Sequence, residues 1–203
     1  MKKIKLLLIA VFTTAITSAQ VVIKPGVKGG LNYSGLTNAG NDTKWNTSFH
    51  IGGSVSFKFA DFYTLQPEVL YSKQGAKVGF DLVSNGGSYI ERTYINTKLN
   101  YLSFHVNNKF FLGGGNFNLQ VAPVLDILVS HENVNDPEIF DFGLAGGIGY
   151  NFPNGLNIDV RFKQGLTDLF GRNVGTYPET TDISDLTLNQ VFQVSLGYEF
   201  DFK

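Results

Sequence analysis

Phe192-Gln193-Val194-Ser195-Leu196-Gly197-Tyr198-Glu199-Phe200-Asp201-Phe202 alternates apolar and polar residues without a break. Successive side chains of a β-strand point to opposite faces, so this segment presents one greasy face and one polar face along its whole length. An amphipathic helix repeats every 3.6 residues and does not read this way. Two earlier segments repeat the pattern. In Phe140 to Phe152 the series Phe140, Phe142, Leu144, Gly146, Ile148, Tyr150 and Phe152 opposes Asp141, Gly143, Ala145, Gly147, Gly149 and Asn151. In Leu156 to Lys163 the apolar Leu156, Ile158, Val160 and Phe162 oppose Asn157, Asp159, Arg161 and Lys163.

With blemishes the same alternation recurs at Ile23 to Tyr33, Phe49 to Phe59, Leu65 to Gln74, Leu102 to Leu112 and Phe117 to Val129. The spacing therefore predicts an all-β chain: an eight-stranded antiparallel up-and-down transmembrane β-barrel. About ten residues per strand, at roughly 3.3 Å each and a tilt near 45°, give a height of roughly 23–27 Å, which suits a hydrocarbon slab better than a soluble sandwich.

The connections alternate in length. Ala60 to Phe62, Gly113 to Asn116 and Pro153 to Gly155 are tight turns, whereas Ser34 to Asn46, Ala76 to Lys98, Ser130 to Ile139 and Thr167 to Gln190 are long. Outer-membrane barrels keep short turns on the periplasmic side and long loops outside. Aromatic residues follow the strand ends. Phe57, Phe59, Phe62, Tyr63, Phe110, Phe117, Tyr150, Phe152, Phe200 and Phe202 gather at the turn end, and Tyr33, Phe49, Tyr71, Phe104, Phe140, Phe162 and Phe192 near the loop end. Two such girdles are expected of a barrel in lipid. Pro67 and Pro123 cannot donate to a ladder and predict bulges or irregular pairing. Asn107 and Asn108 interrupt the greasy face of the fourth strand and leave its register open.

The chain opens with Lys2, Lys3 and Lys5, an apolar run from Leu6 to Phe12, and Thr17, Ser18 and Ala19. These are the three regions of a secretory signal peptide cleaved after Ala19, so residues 1–19 are read as the signal and 20–203 as the outer-membrane β-barrel domain. With Cys 0, disulfides, thiol chemistry and a lipidated cysteine are excluded. A formal net charge of -1 offers no basic field for nucleic acid.

Ser195, Gly197, Phe200 and Phe202 resemble the C-terminal insertion signal of outer-membrane barrels, which implies the barrel-assembly machinery as a partner, although Lys203 follows the last aromatic. More broadly the chain resembles the PorT-like outer-membrane β-barrel family of Gram-negative bacteria. The likeness is carried by Pro25 to Asn32, by Leu65 to Gly75, by Asn100, Tyr101, Leu102 and Lys109, and by the glycine-rich Gly143 to Tyr150. Shortly after its Tyr-Leu pair that family often has an acidic residue and a proline, where this chain has Ser103 and His105. The resemblance implies the fold and no activity.

On the polar face, Lys24, Lys28, Lys58, Lys109, Arg161 and Lys163 stand beside Glu68, Asp126, Asp141, Asp159, Glu199 and Asp201. An eight-stranded barrel is wide enough for side chains to fill, or for one small ligand, so these charges are expected to form a salt-bridged plug rather than a pore. His50, His105 and His131 show no metal-ligand spacing, there is no Gly-x-Ser-x-Gly elbow, and the glycine run from 143 to 149 lies inside a strand; no cofactor, metal or catalytic residue is expected. The function expected is a non-enzymatic barrel, monomeric in outer-membrane lipid, whose loops at 34–46, 76–98 and 167–190 bind a protein or glycan or which supports the envelope. The alternatives are a lipid-modifying membrane enzyme and, if the greasy face turns inward, a secreted lipocalin-like carrier of an apolar ligand.

Overall fold

In the computed structural model the described residues are 21–39, 42–83, 90–171 and 186–202; the N-terminal segment read as a signal lies outside them. Ten strands form in chain order: β1 (Val22–Leu36), β2 (Thr43–Ala60), β3 (Tyr63–Gln74), β4 (Ala76–Val83), β5 (Ile90–Asn96), β6 (Lys98–Phe111), β7 (Phe117–Glu132), β8 (Phe140–Asn151), β9 (Leu156–Gly165) and β10 (Asn189–Glu199). Eight of them, all but β4 and β5, pair antiparallel in the order β1-β10-β9-β8-β7-β6-β3-β2, and β2 pairs with β1 to close the sheet. Closure leaves no free edge in the wall, which hydrocarbon requires because it offers no hydrogen bonds to backbone groups.

The register fixes the shape. Cα partners followed once round from Tyr33 run through Phe192, Phe162, Gly146, Val121, Asn108, Leu65 and Phe57 and return to β1 at Ile23, ten residues nearer its start. Such a stagger tilts eight strands by about 40° and leaves an interior that side chains can fill.

The apolar set faces outward. In β10, Phe192, Val194, Leu196 and Tyr198 are exposed while Val191, Gln193 and Ser195 are buried. In β8, Phe140, Phe142, Leu144, Ile148 and Tyr150 are exposed. The inward column of β8 is Gly143, Ala145, Gly147 and Gly149, and its smallness makes room for neighbours: a Cβ at Gly147 would sit 2.7 Å from the Arg161 side chain. The greasy face is therefore outside, and the inward-facing reading that would make a lipocalin-like cup is overturned. At the turn end the aromatics pack on one another, with ring centroids 4.8 Å apart for Tyr150 and Phe152, 5.1 Å for Tyr198 and Phe200, and 5.4 Å for Tyr63 and Phe110.

Three departures from the sequence reading have physical causes. The segment 76–98 is not a plain loop: it folds into the β4–β5 hairpin, joined to β2 where Thr43, Lys44 and Trp45 pair with Val78, Lys77 and Ala76. β2 is accordingly longer than expected, at 18 residues, and takes Trp45 from the loop into the strand, where it stacks on Tyr33 at 5.2 Å. Gly75, with φ of +130°, turns the chain out of the wall into the hairpin, a conformation L side chains rarely adopt. Third, β10 ends at Glu199, so Phe200 and Phe202 lie beyond it.

The prolines sit where the ladder is irregular. Cα partners between β6 and β7 stop at His105–Val124 and resume at Asn108–Val121, which leaves Val106 facing Pro123. Pro123 has no N–H to offer. The lipid-side amide of Asn108 takes its place: Nδ2 donates to the carbonyl oxygens of Val106 at 3.0 Å and Val121 at 3.2 Å, and Tyr63 Oη donates to Asn108 Oδ1 at 2.8 Å. Between β2 and β3 the partners likewise skip from Ser54–Glu68 to Phe57–Leu65, around Pro67. Asn107, by contrast, points inward and is fully buried.

Candidate functional site: a filled lumen and a stitched loop face

At mid-height the lumen holds a closed ring of four charges. Lys28 Nζ lies 2.8 Å from both Glu68 Oε1 and Asp159 Oδ2; Arg161 Nη1 lies 3.0 Å from Glu68 Oε2, and Arg161 Nε 3.1 Å from Asp159 Oδ1. Each carboxylate thus touches both cations, and the ring ties β1, β3 and β9 across the barrel. All four side chains are buried. The Arg161 contacts are ion pairs by distance rather than aligned hydrogen bonds. Charges removed from water are costly unless mutually neutralised, and a cyclic arrangement neutralises each from two sides.

Towards the loop end a second cluster forms. Lys163 Nζ donates to Asp126 and, at 2.9 Å, to Gln74 Oε1, with Asp141 at 4.0 Å; Gln74 Nε2 donates to Asp126 at 3.1 Å, and Asn189 donates to Gln74. Towards the turn end Lys109 Nζ lies 3.8 Å from Glu199, which accepts from Ser56 Oγ at 2.8 Å. Lys24 and Lys58 stand apart from this interior. Lys24 pairs with Asp201 at 3.0 Å and Lys58 with Asp61 at 2.7 Å, both at the solvent-exposed mouth. Of the twelve charged residues read onto the polar face, the fold thus divides nine between the three interior groups and leaves Lys24, Lys58 and Asp201 at the rim.

One constellation escaped the sequence reading. His50 Nε2 lies 3.0 Å from Ser195 Oγ and His50 Nδ1 lies 2.8 Å from Asn32 Oδ1. Nucleophile, base and orienter in that geometry suit acyl chemistry. All three are buried, however, and Asn32 is further tied to Ser72 at 3.0 Å and Gln193 at 3.1 Å. Exposures of 0% for Asn32 and 1% for His50 and Ser195 leave no solvent-filled space beside the group. With no space for a substrate, the group is a hydrogen-bonded filling of the lumen. These residues come from β1, β2 and β10, far apart in sequence, and no motif links them.

The two ends of the lumen differ. At the turn end a polar vestibule of about 410 Å³ opens between Lys24, Lys58, Thr64, Asn116 and Glu199. At the loop end Leu36, Ala76, Leu99, Tyr101 and Leu169 make a small apolar cluster, with Leu128 and Val134 against it. Backbone bonds stitch the loops above this cluster: Thr37 N donates to Leu188 O, Leu169 N to Thr187 O, Glu138 N to Leu169 O and Leu128 N to Ile139 O. The β4–β5 hairpin rises beside it, clamped by Arg92, whose Nε lies 2.8 Å from Asp81 Oδ1 and whose Nη1 lies 3.4 Å from Asp42; Tyr94 Oη also donates to Asp42. The hydrogen bond from Arg92 holds the Asp81 carboxyl below its ordinary value. Alternation in Lys77 to Val83 was a readable strand signal, masked by the polar residues on either side.

The sequence pattern of the outer membrane protein beta-barrel domain family matches residues 19–171. The chain belongs to that family and is a small integral β-barrel protein of the bacterial outer membrane. Among solved structures it is similar to Ail, the attachment invasion locus protein of Yersinia pestis, at 13% identity over 87% of this chain and 98% of that one, with a TM-score of 0.49. It is also similar to OprG from Pseudomonas aeruginosa, at 9% identity over 91% and 99% with a TM-score of 0.46, and to Neisserial surface protein A, at 11% identity over 87% and 97% with a TM-score of 0.44. None of the curated proteins compared matches it.

Proposed function

We propose that this barrel is a non-enzymatic surface protein whose work is done by its loop face, with the wall and lumen serving as a rigid support. The observation that carries this reading is the closed ring of Lys28, Glu68, Arg161 and Asp159, buried across the lumen beneath an apolar plug. A barrel so filled offers no passage, and the Ser195–His50–Asn32 group has no room for a lipid. Binding usually resides on loops held by a rigid scaffold. Here the stitched loops and the Arg92-clamped hairpin supply one beneath the segments 34–46, 76–98 and 167–190, which take a protein or glycan ligand; residues 40–41, 84–89 and 172–185 of these segments lie outside the described residues.

The rest of the reading follows the sequence. The chain is exported on a signal cleaved after Ala19, is inserted by the barrel-assembly machinery through Ser195, Gly197, Phe200 and Phe202, and works as a monomer in outer-membrane lipid. Resemblance along Pro25 to Asn32 and Leu65 to Gly75 favours the PorT-like branch.

The test uses the full chain in planar bilayers and on an immobilised panel of glycans and extracellular-matrix proteins, beside a variant whose residues 77–96 are replaced by a short Gly-Ser turn. The expected result is no steady conductance for either, and loss of panel binding in the variant while it still migrates faster unboiled than boiled. Steady conductance, hydrolysis of bilayer phospholipid, or unchanged panel binding would overturn the proposal.

A further inference from the structure

The loop-end rim of the outer wall is chemically lopsided. On β8, β9, β10 and β1 the outward residues near that rim are Phe142, Phe162, Phe192 and Tyr33, with Leu166 just beyond β9, and the polar exceptions Gln164 and Gln190 bond to each other at 2.8 Å. Among the described residues this side carries no outward cation. On β3 and β6 the outward columns instead end in Lys73 and Lys98. Lys73 stands two residues beyond Tyr71 on the same face and pairs across the strands with Asn100.

Lys73 has no carboxylate within 4.0 Å among the described residues; its Nζ rests over the ring of Phe49, 5.1 Å from the centroid. Lys98 pairs with Glu132 at 2.7 Å. A recess of about 280 Å³ opens between them, lined also by Asn46, Ser48 and Asn100. Beneath it the wall turns apolar through Tyr71, Val69, Leu102 and Phe104. Two lysines against one glutamate leave a net single positive charge above an apolar track, at the level of an aromatic girdle. That is the complement of an amphiphile with one negative charge at its head.

We propose that Lys73 and Lys98 form a binding site for the phosphodiester of an outer-leaflet lipid, whose acyl chains lie along Tyr71, Val69, Leu102 and Phe104. The phosphate bridges the two ammonium groups and accepts from the amides of Asn46 and Asn100, while Glu132 sets the limit on how much negative charge the head can carry. Lysines near membrane head groups attract anionic lipid in this way, and an interfacial site is sensitive to salt. The site shares Asn46 and Lys98 with the loop segments named above, but its readout, lipid retention, does not depend on binding at the loop face.

The experiment is native mass spectrometry of the full chain released from detergent with phosphatidylglycerol, with diacylglycerol of the same acyl chains, and with inorganic phosphate as competitor. Phosphatidylglycerol adducts are expected to exceed diacylglycerol adducts several-fold. K73Q/K98Q should reduce them to the diacylglycerol level, K73R/K98R should restore them, and K24Q/K58Q at the opposite mouth should leave them unchanged. Faster migration of unboiled samples checks that each variant is folded. Equal retention of the two lipids, or retention unaffected by K73Q/K98Q, would overturn the site. Displacement by millimolar inorganic phosphate would overturn the lipid assignment in favour of a free-phosphate site.

Discussion

The two ends of the lumen are built on opposite principles. At the turn end the charges of Lys24, Lys58, Asp61 and Asp201 remain in contact with solvent around an open vestibule. At the loop end the wall closes over an apolar cluster of Leu36, Leu99, Tyr101 and Leu169. Polar side chains are cheap at an open mouth because water screens them, whereas a mouth that must be shut is shut with groups that water avoids. The contrast teaches that this barrel is a cup open towards the turn side and a platform towards the loop side, with the four-charge ring as the floor between them.

Breaking the floor should have the largest effect. Glu68→Gln leaves Lys28 and Arg161 with only Asp159 between them, and removing one partner of a buried ion pair costs about 3–5 kcal/mol. Urea titration of the barrel in detergent, read by the loss of fast unboiled migration, should show that drop; a change no larger than that of a surface variant would mean that water enters the ring. Next comes the plug. Leu169→Ala leaves a cavity under the stitched loops and should cost about 2–4 kcal/mol in the same titration, without opening conductance, since the ring beneath is untouched. Conductance in this variant would show that the plug rather than the ring seals the lumen. The smallest effect belongs to the open end. Lys58→Ala removes an exposed pair with Asp61, and such pairs contribute little in water, so its urea midpoint should match the parent chain. A clear shift there would erase the distinction between the ends.

How much of this could be read beforehand differs from element to element. Alternation in Phe140 to Phe152, Leu156 to Lys163 and Phe192 to Phe202 located three strands and sorted their residues into a greasy and a polar face, because period two is a local property of the backbone. Pro67 and Pro123 announced irregular pairing for the same local reason. That Asn108 supplies the donor missing opposite Val106 was not legible, since the pairing of β6 with β7 had first to put them side by side. The hairpin strands between 77 and 96 are hard to tell from a loop by pattern, because they are short and lie between polar stretches. Among the charges, sequence spacing separated inward from outward but could not group them. Lys28 and Glu68 are 40 residues apart, and only the stagger of the closed sheet brings them to one level.

By itself, then, the sequence determined that the chain is built of barrel strands, which residues share the greasy face, and which end carries loops, because alternation, turn length and aromatic placement are each written in neighbouring residues; that the greasy face turns outward came from the closed sheet. The tertiary structure alone decided that the lumen is bridged by a ring of four charges, that the loops are stitched over an apolar plug, that Ser195, His50 and Asn32 meet without a cavity, and that Lys73 and Lys98 share one recess on the wall. Those outcomes depend on the register of every strand with its neighbours and on the tilt that closure imposes, and that is a property of the whole circuit rather than of any segment.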